Sequence, residues 1–131
     1  MKKIIALISV VILALALAGC GYNEHYTSIV MISSEGNNEA FMTFGSFEGT
    51  RVLDLRNSNK KKDTLYYSAS LKKGKATVYY DYDGTKKELF KIKAGETIDD
   101  SIADLELNKV YVIIESDGNC EDGDFRFKID K

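Results

Sequence analysis

From about residue 40 to its end, this 131-residue chain breaks into short β-rich runs set apart by Gly, Asn and Asp every ~8–12 residues. No helical period holds over any long window, so the chain is confined to an antiparallel sandwich or barrel. The expected strands are Ala40–Phe47, Thr50–Arg56, Thr64–Leu71, Lys75–Tyr82, Lys86–Lys93, Lys109–Ser116 and Asp124–Asp130. Ile29-Val30-Met31-Ile32 is read as a first strand, with a helical turn as the alternative, and Glu35-Gly36-Asn37-Asn38 ends it. Phe125, Phe127 and Ile129 alternate with Asp124, Arg126, Lys128 and Asp130, the pattern of a half-buried strand. Val110-Tyr111-Val112-Ile113-Ile114 is apolar at both parities and predicts a central strand covered on both sides. Asp81-Tyr82-Asp83-Gly84 supplies a hairpin turn, with Asp83-Gly84 suited to positive φ. Asp99 to Leu107 reads as one helical turn, or as a loop pinned by Ile102, Leu105 and Leu107. The fold class expected is all-β: a small antiparallel β-sandwich of about 7–8 strands.

The first twenty residues have another purpose. Met1-Lys2-Lys3 is a positive start, and Ile4 to Gly19 then runs uncharged for sixteen positions. At 1.5 Å per residue that is roughly 24 Å, short of the ~30 Å hydrocarbon core, so a cleaved leader is favoured over a permanent span. Leu17-Ala18-Gly19-Cys20 closes it and resembles a bacterial lipobox, in which small residues fit the signal peptidase and the cysteine thiol receives diacylglycerol. The resemblance to bacterial lipoproteins covers residues 1–20. It implies cleavage between Gly19 and Cys20, acyl chains such as palmitate on Cys20, and a place on the extracytoplasmic face of a bacterial membrane. That is the cell membrane in a Gram-positive cell; the outer membrane is open to it in a Gram-negative one. The domain organisation follows: 1–19 signal peptide, 20–28 lipidated tether, 29–131 β-sandwich. Loss of Lys2 and Lys3 with the leader leaves 16 basic against 20 acidic side chains, a formal −4, so the lipid and not charge does the holding.

With Cys20 acylated, Cys120 is the one thiol left and no intrachain disulfide forms. Cys120 sits in Asp117-Gly118-Asn119-Cys120-Glu121-Asp122-Gly123-Asp124 and is expected to be an incidental, unreactive loop thiol, so that Cys120→Ser barely affects folding. A second resemblance lies further along. A glycine-started strand at Gly74–Tyr82, the Asp81–Gly84 turn, Tyr111 in Val110–Glu115 and Gly123-Asp124-Phe125-Arg126-Phe127 are similar to the small jelly-roll-like domains that trail secreted bacterial peptidases. It spans residues 64–131 and implies a jelly-roll-like sandwich. Asn108-Lys109 stands where such domains often place a glycine before the tyrosine.

The near-neutral charge disfavours nucleic acid as a partner. Asn57–Asp63 reads as a solvated, charged connection. The single His25, in the expected tether, leaves the sandwich without the base of a Ser-His or Cys-His pair. GxSxG, HExxH, GxxxxGK[ST] and GxGxxG are missing from the sequence, and no cofactor is expected. Asp117, Asn119, Glu121, Asp122 and Asp124 gather oxygen donors, but EF-hand spacing fails because position six is Asp122 and position twelve is Lys128, so only an irregular calcium site is open to them. Alternation turns Tyr66 and Tyr79 outward, and were their strands neighbours the two rings would form one exposed aromatic patch for glycan or protein contact. The function expected is a lipid-anchored binding module for an envelope protein partner, not an enzyme. The alternatives are a carbohydrate-binding module using Tyr66 and Tyr79, and a small hydrolase using acidic residues.

Overall fold

The computed structural model describes residues 22–58, 64–105 and 108–129. Among them lie seven strands: β1 (His25–Ser34), β2 (Gly36–Asn37), β3 (Glu39–Arg56), β4 (Leu65–Asp81), β5 (Lys87–Lys93), β6 (Thr97–Ile102) and β7 (Lys109–Ile129). The all-β class and strand number are as expected, and β7 is central in the order β1-β3-β7-β4-β5, with β6 also on β4 and the short β2 parallel to β3.

Six of the expected strands are, however, three long ones. Phe47 to Thr50, Leu71 to Lys75 and Asp117 to Asp124 are bends inside β3, β4 and β7 instead of connections. The bends lie side by side: Phe47 pairs Cys120, Lys73 pairs Glu121 and Lys75 pairs Asp117, with register shifts at Phe47/Thr50 and Lys73/Lys75. Gly74 takes φ +91, and a Cβ there would stand 2.6 Å from the Asn119 carbonyl oxygen and 2.9 Å from Cys120 Sγ, so both conformation and space require glycine. This waist folds the sheet onto itself. Eighteen residues of β3 would span roughly 60 Å if straight. Yet the Asn38 N–H beyond its start donates to the Arg56 carbonyl at its end, at 2.7 Å. Likewise Val78 and Ala69, the partners of Phe90 and Phe125, are nine residues or roughly 30 Å apart along β4, while those two rings stack at 6.5 Å across the fold.

The result is a β-sandwich whose halves are continuous. The first half holds β1, β6, residues 39–47 of β3, 65–73 of β4 and 120–129 of β7. The second holds β5, 50–56 of β3, 75–81 of β4 and 109–117 of β7. Between them lie Met42, Phe44, Leu53, Leu55, Val78, Val112, Ile114, Phe125 and Phe127, all buried. Cys120 is among them at 0% exposure, donating its thiol to the Lys75 carbonyl at 3.3 Å. The expected loop thiol is therefore a core residue, turned inward by the waist. Burial pushes its pKa up, with Asp117 and Glu48 acting the same way.

Three smaller expectations change as well. Residues 97–102 are strand β6 and not a helical turn, because their alternation lays Ile98 and Ile102 on the core while Asp99 and Ser101 stay wet. Of the apolar residues expected to pin that segment, Leu105 is buried at 8%, and Leu107 lies outside the described residues, as do 59–63 of the charged connection. Strand β1 begins at His25, so the last four residues of the expected tether are already in the sheet. At the β4–β5 turn, Gly84 has φ +93 but Asp83 is not left-handed; the Asp81 carboxylate makes the turn by accepting the N–H groups of Asp83 (3.2 Å) and Gly84 (2.7 Å).

Candidate binding faces

Directly paired residues on neighbouring strands share a face. On the outside of the first half one rung reads Phe41, Arg126, Ser68, Asp99 and the next Glu39, Lys128, Tyr66, Ser101. The Arg126 guanidinium lies 5.2 Å from the Phe41 ring centroid and is steadied by Asp124, whose Oδ1 accepts from Nε at 2.9 Å. The planar donors are thus held over the middle of the face. Glu39, Tyr66, Ser68, Asp99, Arg126 and Lys128 border a shallow hollow of about 220 Å³. Toward the β1 edge the same half exposes Ile29 (67%), Val30 (75%) and Ile32 (62%). Val30 has φ +53 and no partner in the β1–β3 register, and the inward-outward alternation breaks there although the register on either side is unchanged.

On the outside of the second half the rungs read Asp54, Tyr111, Asp81 and Val52, Ile113, Tyr79. Tyr22 lies over this face: its ring meets Tyr111 edge-on at 5.7 Å and 67°, and its hydroxyl donates to the Asp81 carboxylate. Burial, then the hydrogen bond and charge of Asp81, push the Tyr22 pKa up to about 12. Glu24 forms an ion pair with Arg51 beside it. Lys86 Nζ sits 4.2 Å over the Tyr79 ring and bonds Glu115 at 2.8 Å, and Lys109 Nζ sits 4.7 Å over Tyr111 and bonds Asp54 at 3.1 Å.

Tyr66 and Tyr79 consequently do not share a patch. Both face outward, as alternation requires, but they lie on one strand either side of its bend, on opposite outer faces. Tyr22, Arg126 and Asp99 escaped the sequence reading; only the alternation around Phe125 marked Arg126 as outward. Nor do the proposed calcium ligands converge. Asp117 to Asp124 is strand, and Lys75 meets Asp117 (3.5 Å), Lys73 meets Glu121 (3.5 Å) and Arg126 meets Asp124. Among the described residues no group of three or more His, Cys, Asp or Glu is placed to hold a metal ion. His25 is exposed on β1. Cys20 and Gly19 lie outside the described residues, among which no helix is long and apolar enough to cross a membrane.

No family model and no curated protein matches the chain. Among solved structures it is similar to the pre-peptidase C-terminal domain of collagenase from Bacillus anthracis, at 14% identity and a TM-score of 0.46 over 72% of this chain and 90% of that one. A family 29 carbohydrate-binding module complexed with mannohexaose aligns at 14% identity and TM-score 0.41, over 83% and 78%. TmCBM61 with β-1,4-galactotriose aligns at 16% and 0.42, over 71% and 70%. The likeness is one of all-β architecture, and no residue here takes a role from these proteins.

Proposed function

We propose that this chain is a lipid-anchored binding module of the bacterial cell envelope and that its ligand surface is the outward face of the first half. The anchor is Cys20, carried by the Leu17–Cys20 motif. The observation that carries the ligand surface is the arrangement of Tyr66, Arg126, Ser68 and Asp99 on two adjoining rungs around an open hollow. An aromatic ring offers apolar area to the C–H face of a sugar, while guanidinium, hydroxyl and carboxylate groups beside it match ring hydroxyls. A shallow, open floor suits an extended polymer lying across the strands more than a small molecule, which wants most of its surface enclosed. The ligand class favoured is therefore an envelope glycan.

A protein partner is the second reading, favoured by the uncharged stretch Tyr26–Ser34 and its exposed Ile29, Val30 and Ile32 on an edge strand, where a partner strand would add. Retention on immobilised envelope glycans separates the two. Wild type is retained and Tyr66→Ala and Arg126→Ala are lost from the resin with unchanged melting temperatures under the glycan reading. Retention of wild type and both variants alike, or of none, would refute it. For the anchor, Cys20→Ala should be released from the membrane or left unprocessed, and mass spectrometry of the native protein should find acyl chains on Cys20.

A further inference from the structure

The geometry points to a fixed orientation on the bilayer: the outward face of the second half, the one crossed by Tyr22, lies against the lipid headgroups. The inference rests on the lipid-anchor reading of Cys20. Cys20 precedes Tyr22 by two residues, a reach of at most ~7 Å. Tyr22 is bound to the body by Tyr111 and Asp81, Glu24 by Arg51, and β1 starts at His25. Of the stretch 20–28, only Gly21 separates the acylated residue from side chains that grip the domain. A link this short lets the domain neither stand off nor turn over, so the face beneath Tyr22 follows the acyl chains to the surface.

The chemistry of that face agrees. Tyr79 and Tyr111 are partly exposed, each with a lysine ammonium over its ring, at 4.2 and 4.7 Å. Such rings, apolar in body and polar at the tip, suit headgroup depth, and an ammonium held over the ring face meets the phosphate level of the same layer. Lys86 and Lys109 are answered by Glu115 and Asp54, so the two pairs beside these rings carry no net charge. The opposite face, with Tyr66, Arg126 and Asp99, is thereby turned away from the membrane toward whatever the envelope presents.

The test uses the full chain, acylated in a bacterial host and reconstituted into phosphatidylcholine vesicles with and without phosphatidylglycerol. A thiol-reactive fluorophore is placed at Lys86→Cys or Lys109→Cys on one face and at Lys128→Cys on the other; Cys120 is buried and stays unlabelled. A quencher on the lipid headgroup should extinguish the probes at 86 and 109 and spare that at 128, and aqueous iodide should do the reverse, in both lipid mixtures. A Gly-Ser spacer inserted between Gly21 and Tyr22 should abolish the contrast while the chain still floats with the vesicles. Equal quenching on both faces, stronger lipid quenching at 128, or self-quenching at 86 from a second copy would overturn the orientation in a chain that floats. A chain that fails to float overturns the anchor itself, and the orientation with it.

Discussion

The two outward faces of this sandwich are made by the same three long strands, yet they meet solvent differently. On the first half Arg126, Lys128, Asp99 and Ser101 stand exposed along neighbouring rungs. On the second, Ile113 is 1% and Asp81 6% exposed although both point away from the core, and Tyr22 packs on Tyr111 and bonds Asp81. The strands set charged side chains on the first face and Val52, Ile113, Tyr79 and Tyr111 on the second. The tripeptide ahead of β1 adds to the difference by lying on the second alone, which gives the chain one face to be held by and another to present.

The largest effect should come from breaking the joint that sets the faces back to back. Phe125 is fully buried and stacks on Phe44 at 6.0 Å and on Phe90 at 6.5 Å, so Phe125→Ala should cost about 3–5 kcal/mol in urea unfolding. A loss under about 1 kcal/mol would mean the halves do not close on this ring. Next comes the waist: Gly74→Val forces a β-branched residue to φ +91 against Asn119 and Cys120, for about 2–4 kcal/mol. Cys120→Ser puts a hydroxyl where a buried thiol sat and should cost about 1–3 kcal/mol, even with Lys75 as an acceptor. A change within about 0.5 kcal/mol would restore the surface thiol expected from sequence.

Smaller again is the strap. Tyr22→Phe removes one hydrogen bond to Asp81, which keeps its bonds to Asp83 and Gly84, and should cost about 1 kcal/mol. It also has a pH signature. The folded chain favours the neutral phenol, so its contribution is whole below pH 10 and is lost as pH rises from 10 toward about 12. Stability of the wild type relative to Tyr22→Phe should therefore narrow across that window. A constant difference would show that the phenol is not held by Asp81.

Which residues lie in strands, and which way they face, was legible: alternation placed Tyr66 and Tyr79 outward and both parities of Val110–Ile114 under cover. The waist was not. A tight two-residue hairpin and a glycine-centred bend inside a strand ask for the same residue, since both take positive φ, so Gly49, Gly74 and Gly118 read as ends of strands although each bends one. Everything that depends on the bends was lost with them: the burial of Cys120, the separation of Tyr66 from Tyr79, and the conversion of an acidic loop into strand. Tyr22 left no signal either, because a tyrosine near a leader carries no period; its partner Asp81 looked fully accounted for by the turn it also makes.

The finest cut compares the two tyrosines directly. Tyr66→Ala and Tyr79→Ala each remove a partly exposed ring from the same strand, so each should cost no more than about 1 kcal/mol in stability. Their functional effects should part completely. Tyr66 borders the open hollow with Arg126 and Asp99, and its loss should abolish glycan retention. Tyr79 lies beneath Lys86 on the opposite face, where its loss leaves glycan retention intact and weakens only the lipid quenching of a probe at 109. Equal loss of retention in both variants would mean the faces are not separate in function. The chain would then be reading its ligand around the β5–β6 end of the sandwich instead of across one face of it.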